Sequence, residues 1–167
     1  MATHYLIRFS KALLSLSLGL LTLVVVFNNI TDYWTNFNFV SHVLSMDTIF
    51  AGSKLRSRAI RSARWQHAFY LCIIAWEALV AGLCTLGGLM LLQNLKADTQ
   101  SFHQAKRFTI AGLLGGVLLW FTGFQVIAGE WFAMWMSKEW DGSPSATRLT
   151  QFMLALLIFV GLKNDDA

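Results

Sequence analysis

Two carboxylates stand where a carboxylate is hardest to keep. Glu77 lies in IIAWEALVAG and Glu130 in VIAGEWFAMW, each inside a long apolar stretch. An ionised carboxylate in hydrocarbon costs at least about 2.5–3.5 kcal/mol on insertion scales, so such a group is neutralised, paired or turned toward water. Helical rise puts Glu77 about 13 Å and Glu130 about 7 Å in from the same side of the layer, on stretches of opposite direction. The acids are therefore about one turn apart in depth and are expected to meet. In contact they would hold one shared proton near neutrality, a relay for protons and a cation site once the proton leaves. The competing reading is structural, because polar side chains also hold membrane helices in register.

The faces agree with a meeting. Counting back from Glu130 by seven, seven and four residues gives Gly123, Gly116 and Gly112, which include a Gly112-x-x-x-Gly116 motif. Glu77 shares its face with Ala81, Cys84 and Gly88. Small residues in line mark close helix packing, so both acids are expected in helix–helix seams and away from lipid. Asn28, Asn29 and Asp32 close the first apolar stretch on the same side, and Gln125 lies deeper in the third. Gln125 is about 140° around the helix from Glu130, so it joins such a site only in part. The expected intramembrane polar site is thus Glu77, Glu130, Asn28, Asn29 and Gln125, with Asp32, His42, Asp47 and His67 contributed by loops. The opposite half of the layer shows no comparable cluster.

Two carboxylates with His42 and His67 would suit a divalent transition metal. No His-x-x-x-His or Glu-x-x-His spacing supports that, and histidines satisfied at the membrane interface are the favoured reading; no cofactor is expected. Asp47 with Ser45 reads first as a turn or helix cap. Cys72 and Cys84 are about 18 Å apart along one helix, beyond disulfide reach, and read as packed small hydrophobes.

The elements that must position these residues follow from composition. The chain has 167 residues, 56% apolar, 14% aromatic and 13% charged, with one proline. Its charged share is about half that of a soluble domain. This excludes a disordered chain, a disulfide-stapled secreted module and an ordinary soluble enzyme. One compact membrane domain over residues 1–167 is expected, an all-α bundle of four transmembrane helices at about 12–28, 68–92, 108–135 and 146–162. The first run resembles a signal peptide but ends in Asn28-Asn29-Ile30-Thr31-Asp32 without a small-x-small cleavage site, so it reads as an uncleaved span. Between the first two spans, Phe37, Val40, Val43 and Leu44 stand at helical spacing and predict a short amphipathic interfacial helix.

Four crossings put both termini and the loop at 94–107 on one side (side A). The long connection at 30–65 and the loop at 137–145 fall on the other (side B). A polar pocket capped by the amphipathic helix is expected in the side B half. The net charge of +4 comes from cations that flank apolar stretches, as headgroup contacts do, with no RNA- or DNA-binding signature, so nucleic acid is not expected as a partner. The cations divide almost evenly between the sides. Arg8 and Lys11 before the first span favour side A as cytoplasmic.

Three segments are similar to a bacterial family of small integral membrane proteins whose function is undefined: NNITDYWTNFNFVSHVLSMDTIF (28–50), IIAWEALVAGL (73–83) and LLWFTGFQVIAGEWFAMW (118–135). The resemblance implies a four-helix inner-membrane protein of bacterial origin and supplies no activity, cofactor or catalytic residue. Members often carry proline after MDT-x-F, where this chain has Ala51, so the turn there is expected to differ. Small size, short loops and glycine-lined helices favour a non-enzymatic accessory or assembly subunit, bound to a membrane-protein partner or to its own copies. A proton- or cation-handling carrier or channel using Glu77 and Glu130 is the alternative. A metal-dependent membrane enzyme ranks third, for want of a nucleophile–base pair or phosphate-cradling loop.

Overall fold

The computed structural model describes residues 3–165 and is helical almost throughout. Helix α1 (Thr3–Thr31) leads into α2 (Tyr33–Ser45), and α3 (Ala63–Gln93) follows a short 3-10 turn at Lys54–Arg58. The short α4 (Thr99–Ala105) precedes α5 (Arg107–Val117), which widens into a π-helical segment, Leu118–Trp131; α6 (Ser143–Gly161) completes the order. Four helical stretches are long and apolar enough to cross a membrane: Thr3–Thr31, Ala63–Gln93, Thr99–Trp131 and Ser143–Gly161. The expected four spans and the intervening amphipathic helix are therefore present. Their ends differ from expectation: α1 begins nearer the chain start, and the third helical stretch stops at Trp131, where Ala133 takes a left-handed conformation (φ 53°).

The packing inverts the pattern of a soluble helix. The inward face of α1 carries Ala12, Ser15, Gly19 and Thr22, whereas Leu20, Leu23, Val24 and Phe27 face outward. Lipid accepts the outward leucines, so the inner face is free to be small and to bring backbones together. Ser15 and Thr22 return their hydroxyls to the carbonyls of Lys11 (2.6 Å) and Leu18 (2.9 Å), which satisfies them without a partner helix.

Helix α3 is the central element. A Cβ on Gly19 of α1 would lie 2.9 Å from the backbone nitrogen of Thr85, and one on Gly88 would lie 2.7 Å from Leu16. On the other side of α3, a Cβ on Gly112 would lie 2.7 Å from Cys84 Sγ and 2.9 Å from its backbone nitrogen. Gly116 faces Met153 of α6 in the same way, at 2.8 Å from its sulfur. Ala81 is fully buried. Gly123 differs: its nearest neighbour would be 3.8 Å away, ordinary contact, so nothing at that position requires glycine.

The π-helical segment has a local cause in view. Trp76 Nε1 donates to the carbonyl of Gly115 at 2.9 Å, just before the winding widens. An outside donor on a ladder carbonyl is one route by which helices loosen or bend. The bond from Phe132 N to Ile127 O, 3.0 Å, spans five residues, as π winding requires.

Candidate functional site

A cleft of about 410 Å³ opens on side B between α1, α2, α3, the π-helical segment and the start of α6. Glu77 lies in its wall, 3% exposed. Asn29, on the last turn of α1, donates its side-chain amide to Glu77 Oε2 at 2.6 Å. Tyr70, seven residues before Glu77 and so on the same face of α3, donates its hydroxyl to the backbone carbonyl of Asn29 at 3.0 Å. Asn29 is thereby held through its side-chain amide by Glu77 and through its backbone carbonyl by Tyr70, and Glu77 accepts no other hydrogen bond from the described residues.

The amphipathic helix supplies the cover. Its Asn36, Phe39 and Val40 line the cleft, while Trp120 and Phe124 come from the π-helical segment. Asp141 and Ser145 lie at the exposed side, and Asp141 Oδ1 accepts from the backbone nitrogen of Ser143 at 2.9 Å. The lining thus holds two carboxylates, Glu77 and Asp141, and no lysine, arginine or histidine.

The structure separates residues that the sequence grouped. Glu130 is exposed and does not line the cleft. The reason is the winding: at about 100° per residue, Gly116 and Glu130 share a face, but π turns rotate less per residue and carry Glu130 off it. Gln125 is half-buried and turned to α6, donating to Ser143 O at 2.8 Å and Thr147 Oγ1 at 2.7 Å. Asn28 and Asp32 are exposed. Of the expected intramembrane set, Glu77 and Asn29 come together.

The loop residues form two separate contacts. His42 Nδ1 meets Asp47 Oδ2 at 2.8 Å, and its ring stacks on Trp140 at 4.6 Å between centroids. His67 stacks on Phe37 at 3.9 Å and shares a 2.8 Å hydrogen bond with the hydroxyl of Tyr33, whose phenol burial pushes above its ordinary value. Asp47 follows directly on Met46, the left-handed residue that ends α2, and from there it partners His42. Among the described residues no group of three or more His, Cys, Asp or Glu side chains is placed to hold a metal ion. The turn at Ala51 closes through Gly52 (φ 81°), with Ser53 N donating to Phe50 O at 3.2 Å.

A second buried polar cluster corrects the expectation that side A has none. Residue 165, beyond α6, folds back so that its carboxylate lies 3.2 Å from Lys11 Nζ and 2.8 Å from Lys106 Nζ. Lys11 also donates to Leu162 O at 2.6 Å. Arg8 donates to the carbonyls of Asp165 (3.1 Å), Leu95 (3.2 Å) and Ala97 (2.7 Å), with Phe102 beneath its guanidinium. Burial alone would raise the Asp165 carboxyl; the Lys106 and Lys11 ammoniums outweigh it and hold the group below its ordinary value. The sequence signal was weak, because Arg8 and Lys11 look like ordinary flanking cations.

These features define a multi-pass integral membrane protein with a base-free acidic cleft at one end and a buried ion-pair cluster at the other. The chain belongs to a family described as predicted small integral membrane proteins (DUF2165), whose model matches residues 7–163. No curated protein and no solved structure matches it.

Proposed function

We propose that the protein handles a cationic solute or a proton in the membrane, with Glu77 as the group that binds it. The observation that carries this reading is the cleft lining: Glu77 and Asp141 with no basic side chain, in a chain whose net charge is +4. A cleft walled by one sign of charge and by apolar side chains concentrates the opposite charge. Glu77 is placed for the task, since an acid within a membrane span is kept neutral, paired or wetted, and its one hydrogen-bond partner among the described residues is the neutral amide of Asn29. The sequence expectation of two converging acids is replaced by one acid and one amide. The setting we propose is a bacterial inner membrane, with the cleft facing outward and the Lys11–Asp165 end toward the cytoplasm.

Infrared difference spectroscopy of the protein in lipid tests this, comparing native chain with Glu77→Gln across pH and in sodium, potassium or organic ammonium salts. A carboxyl band that responds to pH or cation and vanishes in Glu77→Gln is the expected result. A spectrum in which no Glu77-dependent band responds to either overturns the reading. In that case Glu77 and Asn29 are a clamp between α1 and α3, and the accessory-subunit reading gains. A stable partner retained through gentle solubilisation would support it further.

A further inference from the structure

The chemistry around Glu77 narrows the cation. A hard metal cation such as Ca2+ wants six to eight oxygen ligands, and Mg2+ wants an octahedron of them. Here Asn29 turns its NH2 group, a donor, toward Glu77, and its backbone carbonyl is already engaged by the Tyr70 hydroxyl. One carboxylate beside an amide donor is a poor cage for a bare ion. It is an adequate counter-charge for a cation that brings its own bulk.

The walls supply what such a cation needs. Phe39, Tyr70, Trp120 and Phe124 all line the cleft. Aromatic faces attract organic ammonium groups through the ring quadrupole, more strongly where water is excluded. Trp120 is 4% exposed and Tyr70 1%, so the half-buried Phe39 and Phe124 offer most of the accessible aromatic surface. The cleft volume, about 410 Å³, lies within the range of small-molecule sites.

A second cavity adjoins it. About 170 Å³ lies beneath α2, and it shares Phe39, Val40, Ile73 and Phe124 with the cleft. Its remaining lining, Val43, Leu44, Phe69, Leu119, Gly123, Ile127 and Ala128, carries no polar side chain. The acidic, aromatic space and the purely apolar one therefore stand side by side across a common wall.

Resting on the cation-handling reading above, we propose that the cleft binds an amphiphilic organic cation. Its ammonium head sits between Glu77 and the aromatic wall, and its apolar arm reaches past Phe39 and Phe124 toward the neighbouring cavity. Asp141 at the exposed side draws the head inward without being buried with it.

Equilibrium dialysis on the full chain in phosphatidylcholine nanodiscs tests this, with empty nanodiscs subtracted. The probes are tetramethylammonium, hexyltrimethylammonium and the uncharged analogue of the latter with a tert-butyl head. Hexyltrimethylammonium is expected to bind at least about tenfold more tightly than tetramethylammonium, from burial of its chain. The uncharged analogue should bind at least about tenfold more weakly than hexyltrimethylammonium, and Glu77→Gln should lose a similar factor. Phe124→Leu should lose about threefold or more. Ser145→Trp, at the exposed side, leaves Glu77 in place and should also weaken binding, which keeps the test open should Glu77→Gln fold poorly. Equal binding of the uncharged analogue, or unchanged binding in both Glu77→Gln and Ser145→Trp, overturns the proposal. If the Glu77 infrared band answers to pH or to sodium while no alkylammonium binds, the ligand class is wrong and cation handling stands. If the band answers to nothing, both fall.

Discussion

Lys11 and Asp165 lie 3.2 Å apart with neither side chain exposed, although 154 positions separate them in the chain. The carboxylate also meets Lys106, so residue 165 ties the first turns of α1 to the junction of α4 and α5. Removing one partner of a buried pair leaves uncompensated charge and typically costs about 3–5 kcal/mol. Asp165→Asn is therefore expected to lower the thermal midpoint of the detergent-solubilised protein at pH 7. Acid should mimic the change. The folded state holds Asp165 below its ordinary value, so its contribution is complete above the unfolded aspartate value of about 4 and is lost as pH falls through the lower folded one. Thermal midpoints measured from pH 7 to pH 3 should fall in the native chain and change less in Asp165→Asn. Parallel curves would show that the cluster contributes nothing.

The Asn29–Glu77 bond joins α1 to α3 at 2.6 Å. Glu77→Gln keeps an acceptor for the Asn29 amide, so the bundle should survive it. Asn29→Ala leaves the carboxylate with no protein donor and should destabilise more. A double-mutant cycle of Asn29→Ala and Glu77→Leu, followed by unfolding in mixed micelles, should give a coupling of about 0.6 kcal/mol, the average for polar contacts between membrane helices, and no more than about 1.7. A coupling near zero would mean the two side chains do not support each other.

How much of this is legible in the sequence depends on how many residues carry the signal. The four spans and α2 emerge because hydropathy and period are summed over long windows. Gly88, Gly112 and Gly116 emerge because helix contacts need small residues in line. Glu130 went astray for a single local reason: fourteen residues in π winding shift the face that a 3.6-residue period assigns. Tyr70 and Asp141 are silent in the sequence, since an aromatic in a span and an acid in a turn have commoner uses. Asp165 is silent too, because its partners are set by where the chain returns after α6, which no local pattern encodes.

The glycines offer a graded test of that packing. A methyl group at Gly112 would press on Cys84 Sγ at 2.7 Å and on its backbone nitrogen at 2.9 Å. Backbone cannot turn aside as a side chain can, so Gly112→Ala should destabilise by about 1–3 kcal/mol, the usual cost of overpacking. Gly123→Ala, with its nearest contact at 3.8 Å, should be near neutral. Adding Cys84→Ala to Gly112→Ala should recover only part of the loss, because the backbone contact remains. Equilibrium unfolding of the four proteins checks the order, and equal losses at Gly112 and Gly123 would contradict the helix geometry.

Four crossings place the connections after the first and third spans at one end of the bundle and the connection after the second at the other. Ser57 and Glu139 are exposed at the cleft end, and Gln100 is exposed at the end that holds Lys11 and Asp165. In a background of Cys72→Ser and Cys84→Ala, a cysteine at position 57 or 139 should react together with a membrane-impermeant maleimide. One at position 100 should react from the opposite face. The labelling also fixes the direction that charge counting leaves nearly balanced. The cleft is proposed to face outward, so intact cells should label positions 57 and 139, and inverted vesicles should label position 100. Labelling of 57 and 100 from one face would break the four-span topology itself. Reversal of all three would keep the topology and place the Glu77 cleft on the cytoplasmic side, where a cation would reach it from within.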